Sequence, residues 1–134
     1  MKIVILGLSR FGLQFAALAQ AAGHQIALID RNPNAFDRLP ANFPATRVLG
    51  SGIDEDVMRK AGVDRADLFV AATDSDKTNL MAAQVAKVEF NIKRSVARVH
   101  DQNQADTFNA LGIIETTCPT FSAARALEQT LAKS

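Results

Sequence analysis

The feature that most limits the fold of this chain is an alternation between short apolar runs and stretches with helical spacing. Runs such as Lys2 to Leu6 and Asp67 to Thr73 have the length and apolar content of strands that are buried on both faces. The segments between them are rich in helix formers, and several stop at glycine, which commonly terminates helices. The predicted strands cover residues 2–6, 25–30, 45–50, 67–73, 95–100 and 113–115, and the predicted helices cover 13–22, a short segment from 33, 54–60, 77–90, 102–111 and 119–132.

Strands that alternate with helices indicate parallel pairing, because parallel neighbours need crossover connections. We therefore expect an α/β fold, a Rossmann-like doubly wound sheet of about six parallel strands flanked by helices. The chain has 134 residues and no internal linker or low-complexity segment, so we expect one domain over residues 1–134.

The composition gives no indication of a nucleic-acid partner or of insertion into a membrane. Apolar residues make up 48% of the chain, charged residues 22%, and the formal net charge is +1, which gives no general attraction to nucleic acid or to an anionic membrane. No apolar run approaches the roughly 20 residues of a membrane span. The single cysteine, Cys118, cannot form an internal disulfide. We expect a cytoplasmic protein with no nucleic-acid partner and no direct membrane insertion.

The six residues GLSRFG follow the first predicted strand and open the first helix, whose first N–H groups are unpaired and favour an anion. Gly7 and Gly12 occupy the first and third glycine positions of a dinucleotide fingerprint. Ser9 stands at the second, where its hydroxyl could either crowd a pyrophosphate or donate a hydrogen bond to it. Arg10 is unfavourable beside the helix dipole, so a bound phosphate explains it better. Phe11 is interpreted as core packing.

Asp30 ends the second predicted strand 23 residues after Gly7, close to the offset of a ribose-binding acid. Two alternatives stay open: the glycines could form a tight turn in a fold that binds nothing, and Asp30 could cap the helix that starts near Pro33. Arg31 could meet a 2′-phosphate, but Asp30 would repel that group, so Arg31 is read as a solvated residue. The pattern favours NAD(H) or an adenine mononucleotide over NADP(H).

Five segments together resemble the N-terminal lobe of RCK domains, also called KTN or TrkA-N domains, which regulate potassium channels and transporters. The segments are GLSRFG, ALID, VLGSGIDEDVMRKAGVDRADLFVAATDSDKTNLMAAQVAK, ARVHD and LGIIETTCPTFSAARAL. The resemblance covers nearly the whole chain. Its most specific part is the middle: a glycine after the third strand, a helix ending RKAGVDRAD and then a strand followed by TDSDKTN. Many Rossmann proteins share the glycine turn alone.

The resemblance implies binding of NAD or NADH, with ATP, ADP or AMP as alternatives. It implies an Arg98 that faces the phosphate region or a partner subunit. Ser9 replaces the middle glycine of the family, and Ser51 replaces an aspartate that reaches the adenine edge, so a domain without tight nucleotide binding is an open alternative. The candidate nucleotide-binding residues are Gly7, Ser9, Arg10, Phe11, Gly12, Asp30, Arg31, Ser51, Gly52, Thr73, Asp74, Asn79 and Arg98.

The resemblance also implies a regulatory role beside a membrane potassium channel or transporter subunit. In the family the last helix often crosses into a partner subunit and a small ligand-binding lobe commonly follows; we expect no such lobe here. A homodimer is expected, with packing of the last helix on its own sheet as the alternative. Ala124, Leu127 and Leu131 would form the apolar face of that helix.

Catalysis is not expected. The chain has no tyrosine, which excludes the Tyr-x-x-x-Lys mechanism of short-chain dehydrogenases, and six strands leave no room for a substrate domain. Cys118 is read as a core thiol, and His100 with Asp101 as a pair that could face the cleft without forming a general base. The two histidines and one cysteine lack metal-ligand spacing. A small NAD-dependent oxidoreductase and a nucleotide-free scaffold are the alternative functions.

Overall fold

A computed structural model describes residues 1–131 of the chain. Six parallel strands form one sheet in the order β3-β2-β1-β4-β5-β6, which confirms the predicted doubly wound fold. The strands are β1 (Lys2–Leu6), β2 (Gln25–Asp30), β3 (Thr46–Leu49), β4 (Leu68–Ala71), β5 (Arg94–Arg98) and β6 (Glu115–Thr117). The helices are α1 (Arg10–Ala21), α2 (Glu55–Ala61), α3 (Asp76–Phe90), α4 (Gln102–Leu111) and α5 (Pro119–Leu131), with short 3-10 helices at Pro33–Arg38 and Val63–Arg65.

The core lies on both faces of the sheet, as the uninterrupted apolar strands predict. Along β1 the side chains alternate: Ile3 and Ile5 pack with α1, whereas Val4 and Leu6 pack with α2 and α3. All four are 3% exposed or less. This burial fixes the positions of the carboxyl ends of the central strands, where a ligand can bind.

The predicted position of the sixth strand is wrong. Residues 113–115 were expected to form it, but β6 is Glu115–Thr117, and Val96 of β5 pairs with Glu115. Gly112 ends α4 in the left-handed conformation, with φ of +73°, so the chain is still turning at Ile113. Ile114 is buried in a cluster with residues of α3 and α4. The paired residues themselves are polar and carry no apolar signal.

An ion pair at the edge of the sheet fastens β6 to β5. The Nε and Nη2 atoms of Arg94 each donate to a carboxylate oxygen of Glu115 at 2.8 Å. These hydrogen bonds lower the pKa of Glu115 and raise the pKa of Arg94. Both side chains are more than half exposed, so the pair contributes less than about 1 kcal/mol to stability.

Helix α5 leaves its apolar residues in solvent. None of its residues is buried, and Leu127 and Leu131 are 68% and 67% exposed. The alternative in which this helix packs on its own sheet is therefore wrong for the described residues; Ala132, the last predicted residue of the helix, lies outside them. No helix within residues 1–131 is long and apolar enough to cross a membrane.

Candidate functional site

A cleft of about 370 Å³ opens at the carboxyl ends of β1, β2, β3 and β4. It lies where the strand order changes direction, the position at which doubly wound sheets bind ligands. Eight of the predicted site residues line it: Gly7, Ser9, Asp30, Arg31, Ser51, Gly52, Thr73 and Asp74. The lining does not include Arg10, Phe11, Gly12, Asn79 or Arg98.

Two glycines allow the first turn to pass close to its neighbours. Gly7 has φ of +96°, and a Cβ there would lie 2.6 Å from the backbone nitrogen of Thr73. A Cβ on Gly12 would overlap the carbonyl oxygen of Gly7. Close packing of the turn against α1 and the end of β4 therefore requires glycine at both positions.

The hydroxyl of Ser9 makes two hydrogen bonds within the protein. It donates to the carbonyl oxygen of Ala72 at 2.6 Å and accepts from the N–H of Gly12 at 3.2 Å, so Ser9 is the N-cap of α1. A hydroxyl has one proton to donate. Donation to a phosphate, one of the two alternatives drawn from the sequence, would therefore require breaking the bond to Ala72. The N–H groups of Arg10 and Phe11, at the first two helical positions, have no intrahelical partner and are available for an anion.

Asp30 ties the glycine turn to the end of β2. One carboxylate oxygen accepts from the N–H of Leu8 and the other from the N–H of Asn32, each at 2.9 Å. The alternative in which Asp30 caps the following short helix is wrong, because the side chain of Asn32 does this by accepting from the N–H of Asn34. A carboxylate oxygen can accept more than one hydrogen bond. Asp30 can therefore hold the turn and still receive ribose hydroxyls.

Asn79 holds Thr73, a residue that lines the cleft, through buried hydrogen bonds. Its side chain is fully buried, and its oxygen accepts from the N–H and hydroxyl of Thr73 at 2.9 and 2.6 Å. Its amide nitrogen donates to the carbonyl oxygens of Thr73 and Arg98, each at 2.9 Å. These four bonds use both donors and both acceptor positions of the amide. Asn79 thus positions the loop after β4. Its side chain has no free donor or acceptor for a direct hydrogen bond to a nucleotide.

Substitution of Asn79 by alanine should lower the free energy of unfolding by about 3 kcal/mol, because buried partners of four hydrogen bonds would lose them. Urea unfolding of the variant measures this change. Asn103→Ala is the matched control, since Asn103 is exposed in the first turn of α4, and it should change stability by less than about 0.5 kcal/mol. Equal losses in the two variants would contradict the supporting role.

Arg98 does not line the cleft but contacts Thr73 and Asp74, two residues that do. Its Nη2 donates to the carbonyl oxygen of Thr73 and lies 3.3 Å from a carboxylate oxygen of Asp74, and its guanidinium carbon lies 5.9 Å from the centre of the Phe11 ring. The buried Nε has no hydrogen-bond partner among the described residues. Arg10, in contrast, is exposed at the first position of α1. Phosphate contact by either arginine stays a prediction.

Two of the cleft residues that were not predicted from the sequence are an arginine and an exposed isoleucine. Arg38 borders the cavity and donates from Nη1 to the carbonyl oxygen of Leu8 at 3.1 Å. Ile53 borders it as well and is 44% exposed, an apolar surface beside Ser51. Arg38 lies outside the quoted motifs, and the short helix that positions it had no predicted end; Ile53 lies within the VLGSGID segment but was not singled out. Gly52 packs closely on the sheet, and a Cβ there would displace the end of the Leu6 side chain.

His100 and Asp101 have separate partners and do not act as a pair. The N–H and Nδ1 of His100 lie 2.9 and 2.6 Å from the two carboxylate oxygens of Asp76, whereas Asp101 caps α4. Cys118 is buried, and its thiol lies 3.5 Å from the carbonyl oxygen of His100. Among residues 1–131 no group of three or more histidine, cysteine or acidic side chains could hold a metal ion.

Comparisons with known proteins agree with this geometry. Residues 3–119 match the family model described as the TrkA-N domain. A Trk system potassium uptake protein TrkA of Streptomyces coelicolor is 40% identical over 113 residues, which are 84% of this chain and 51% of that protein. A TrkA homologue of Methanothermobacter thermautotrophicus is 31% identical over 133 residues, or 99% of this chain and 61% of that protein. The chain thus spans about half to three fifths of these relatives.

Three similar solved structures are named as nucleotide-bound forms. The Kef C-terminal domain of Shewanella denitrificans in its AMP-bound form is 25% identical with a TM-score of 0.78, covering 100% of this chain and 83% of that one. The GsuK channel bound to NAD is 26% identical with a TM-score of 0.78, covering 98% of this chain and 23% of that one. GsuK bound to ADP is 26% identical with a TM-score of 0.76, covering 97% and 33%.

Proposed function

Because this chain belongs to the TrkA-N family, we propose that it is a nucleotide-sensing regulatory domain of a potassium channel or transporter system. The observation that carries the proposal is the cleft itself. It contains the glycine of the first turn, Gly7, and the carboxylate of Asp30, a group that can accept hydrogen bonds from ribose hydroxyls. The start of α1, where two N–H groups have no intrahelical partner, adjoins it at Ser9. NAD, NADH, ATP, ADP and AMP are the candidate ligands. Relatives named as TrkA and structures named as NAD-, ADP- and AMP-bound support this choice.

In the proposed mechanism the nucleotide shifts a population of conformations. A ligand that contacts both the glycine turn and the loop after β4 binds best when those elements are at the distance seen here, so it stabilises that arrangement. A membrane potassium transporter subunit that binds the same arrangement more tightly than others is then regulated by the nucleotide, and by linkage the transporter changes nucleotide affinity equally. We place the domain in the cytoplasm, peripheral to the membrane through this partner, and assign it no catalytic step.

Thermal unfolding of the purified chain with each nucleotide tests this function. A nucleotide present at 100 times its dissociation constant should stabilise the chain by about 2.7 kcal/mol. Incubation with NADH and a panel of small carbonyl compounds should leave the cofactor unconsumed, whereas an NAD-dependent oxidoreductase would transfer the hydride of NADH to one of these acceptors. Absence of any stabilisation by NAD, NADH, ATP, ADP and AMP at millimolar concentration would reject sensing and favour the nucleotide-free scaffold.

We further propose that α5 forms the interface of a homodimer. Its exposed residues Phe121, Leu127 and Leu131 provide apolar surface that solvent disfavours. Leu127→Glu should convert a dimer into a monomer in sedimentation experiments, because a buried carboxylate would be costly at such an interface. Leu18→Glu is the matched control, since Leu18 is also 68% exposed but lies on α1. A wild-type chain that sediments as a monomer at all concentrations would contradict the interface.

A further inference from the structure

A groove of about 640 Å³ lies at the amino ends of β1, β2 and β3, at the end of the sheet opposite to the cleft. The last turns of α1 and α2 and the 3-10 helix Val63–Arg65 form the rest of its walls. Its volume is in the range of sites for small molecules. Part of its lining comes from the RKAGVDRAD segment, which contributes no residue to the cleft.

The lining of this groove is positively charged. Lys2, Lys60 and Arg65 belong to it, and among the described residues no aspartate or glutamate does. The lining of the cleft, in contrast, contains Asp30 and Asp74. Because the formal net charge of the whole chain is only +1, the three cations are a local concentration of charge and not a general property of the surface. The groove therefore attracts an anion.

Two of the three cations flank one position beside Gly62. A Cβ on Gly62 would lie 3.0 Å from the Nζ of Lys2 and 3.9 Å from the Nη2 of Arg65. Within residues 1–131 the ammonium group of Lys2 takes part in no ion pair. The pair between Arg65 and Asp64 is 3.7 Å long and the Arg65 side chain is 69% exposed, so this pair is weak. An anion bound between the two cations would offset their mutual repulsion.

The helix dipoles account for only one of these cations. Lys60 lies in the last turn of α2, where a positive charge offsets the negative end of the dipole. Lys2 belongs to β1 and Arg65 to the following 3-10 helix, so neither lies in that turn. The last turn of α1 has no basic residue. The meeting of Lys2 and Arg65 at Gly62 therefore needs another explanation.

We propose that this groove binds a small, soluble organic phosphate monoester at a site separate from the nucleotide cleft. A phosphate monoester carries close to two negative charges at neutral pH, so it can neutralise both Lys2 and Arg65, whereas a carboxylate carries one. Ile26, Pro44 and Ala45 give the groove an apolar part that the organic group can contact. The net charge of the chain gives no general attraction to an anionic membrane, which favours a soluble ligand over a lipid headgroup.

Nuclear magnetic resonance of the isotopically labelled chain, titrated with phenyl phosphate at constant ionic strength, tests the site. Phenyl phosphate combines a phosphate with an apolar group and has no ribose for Asp30. The backbone amides of Lys2, Gly62 and Arg65 should shift together and reach saturation. Benzoate, with its single charge, should bind at least about tenfold more weakly. Shifts confined to the amides of Arg10 and Phe11, or equal affinities for the two probes, would overturn the proposal.

Charge-removing variants identify the residues that hold the phosphate. Lys2→Gln and Arg65→Gln should each weaken phenyl phosphate binding by about tenfold, because each removes a hydrogen bond between charged groups. Arg59→Gln is the matched control, since Arg59 is exposed on α2, pairs with Asp56 and does not line the groove. It should change the affinity by less than about twofold. Equal losses in the three variants would mean that general charge accounts for binding and would overturn the site.

Vesicles distinguish a soluble ligand from a lipid headgroup, which can present the same phosphate monoester. When vesicles of phosphatidylcholine with phosphatidic acid are sedimented, the chain should stay in the supernatant. Sedimentation of the chain with these vesicles, but not with vesicles of phosphatidylcholine alone, would overturn the soluble ligand and assign the groove to a lipid headgroup. None of these outcomes depends on nucleotide sensing, because the groove and the cleft share no lining residue.

Discussion

Replacement of Gly7 by alanine is expected to lower the free energy of unfolding by about 3 kcal/mol and to abolish nucleotide binding. Two costs add at this position. A side chain at φ of +96° is strained by about 1–2 kcal/mol. The new Cβ would also lie 2.6 Å from the backbone nitrogen of Thr73, and overpacking against backbone costs about 1–3 kcal/mol. Urea unfolding monitored by circular dichroism measures the loss.

Gly23→Ala separates the two costs. Gly23 has nearly the same backbone conformation, with φ of +93°, but a Cβ there meets nothing within 4 Å. This variant should lose only the conformational part, about 1–2 kcal/mol, and should bind nucleotide normally. If Gly7→Ala and Gly23→Ala prove equally stable and bind nucleotide equally well, the close approach of the turn to β4 has no importance for the site.

Asp30→Ala is expected to weaken nucleotide binding by about 10- to 100-fold. Hydrogen bonds to a charged group are worth about 1.5–3 kcal/mol, and the ribose would lose such bonds. The N–H of Leu8, a residue that is 1% exposed, would lose its acceptor too, so the glycine turn would be less well positioned. Calorimetric titration with the best-binding nucleotide measures the change.

Asp37→Ala is the control for loss of a nearby negative charge. Asp37 is exposed on the short helix after β2 and does not line the cleft. It should bind nucleotide within about twofold of the wild type, since an exposed charge is screened by water and salt. A comparable loss of affinity in the two variants would mean that general charge, and not the ribose contact, accounts for the effect of Asp30.

The sequence was sufficient for the doubly wound fold, for five of its six strands and for the eight predicted residues that line the cleft. Buried strands can be recognised from their continuous apolar runs. The fold also imposes characteristic spacings on Gly7, Gly12 and Asp30. The strand β6 was misplaced because its polar residues carry no such signal and because Ile114 packs against helices instead.

The contacts that position residues around the cleft depend on tertiary structure and could not be predicted from the sequence. Arg38 reaches the cleft through the geometry of a 3-10 helix, and Arg98 is held by Thr73 and Phe11, residues 25 and 87 positions away along the chain. Asn79 was predicted as a nucleotide-binding residue from the family motif, whereas its four internal hydrogen bonds position the loop after β4. A local sequence pattern does not distinguish a residue that contacts a ligand from a residue that positions the ligand-contacting residues.

The most direct test of nucleotide binding at the glycine turn is nuclear magnetic resonance of the isotopically labelled chain during titration with AMP. The backbone amides of Arg10 and Phe11, which have no intrahelical partner, should show the largest shifts, followed by those around Asp30 and Ser51. Spectra that do not change, or shifts confined to the opposite edge of the sheet around Lys2 and Gly62, would contradict a nucleotide site in this cleft.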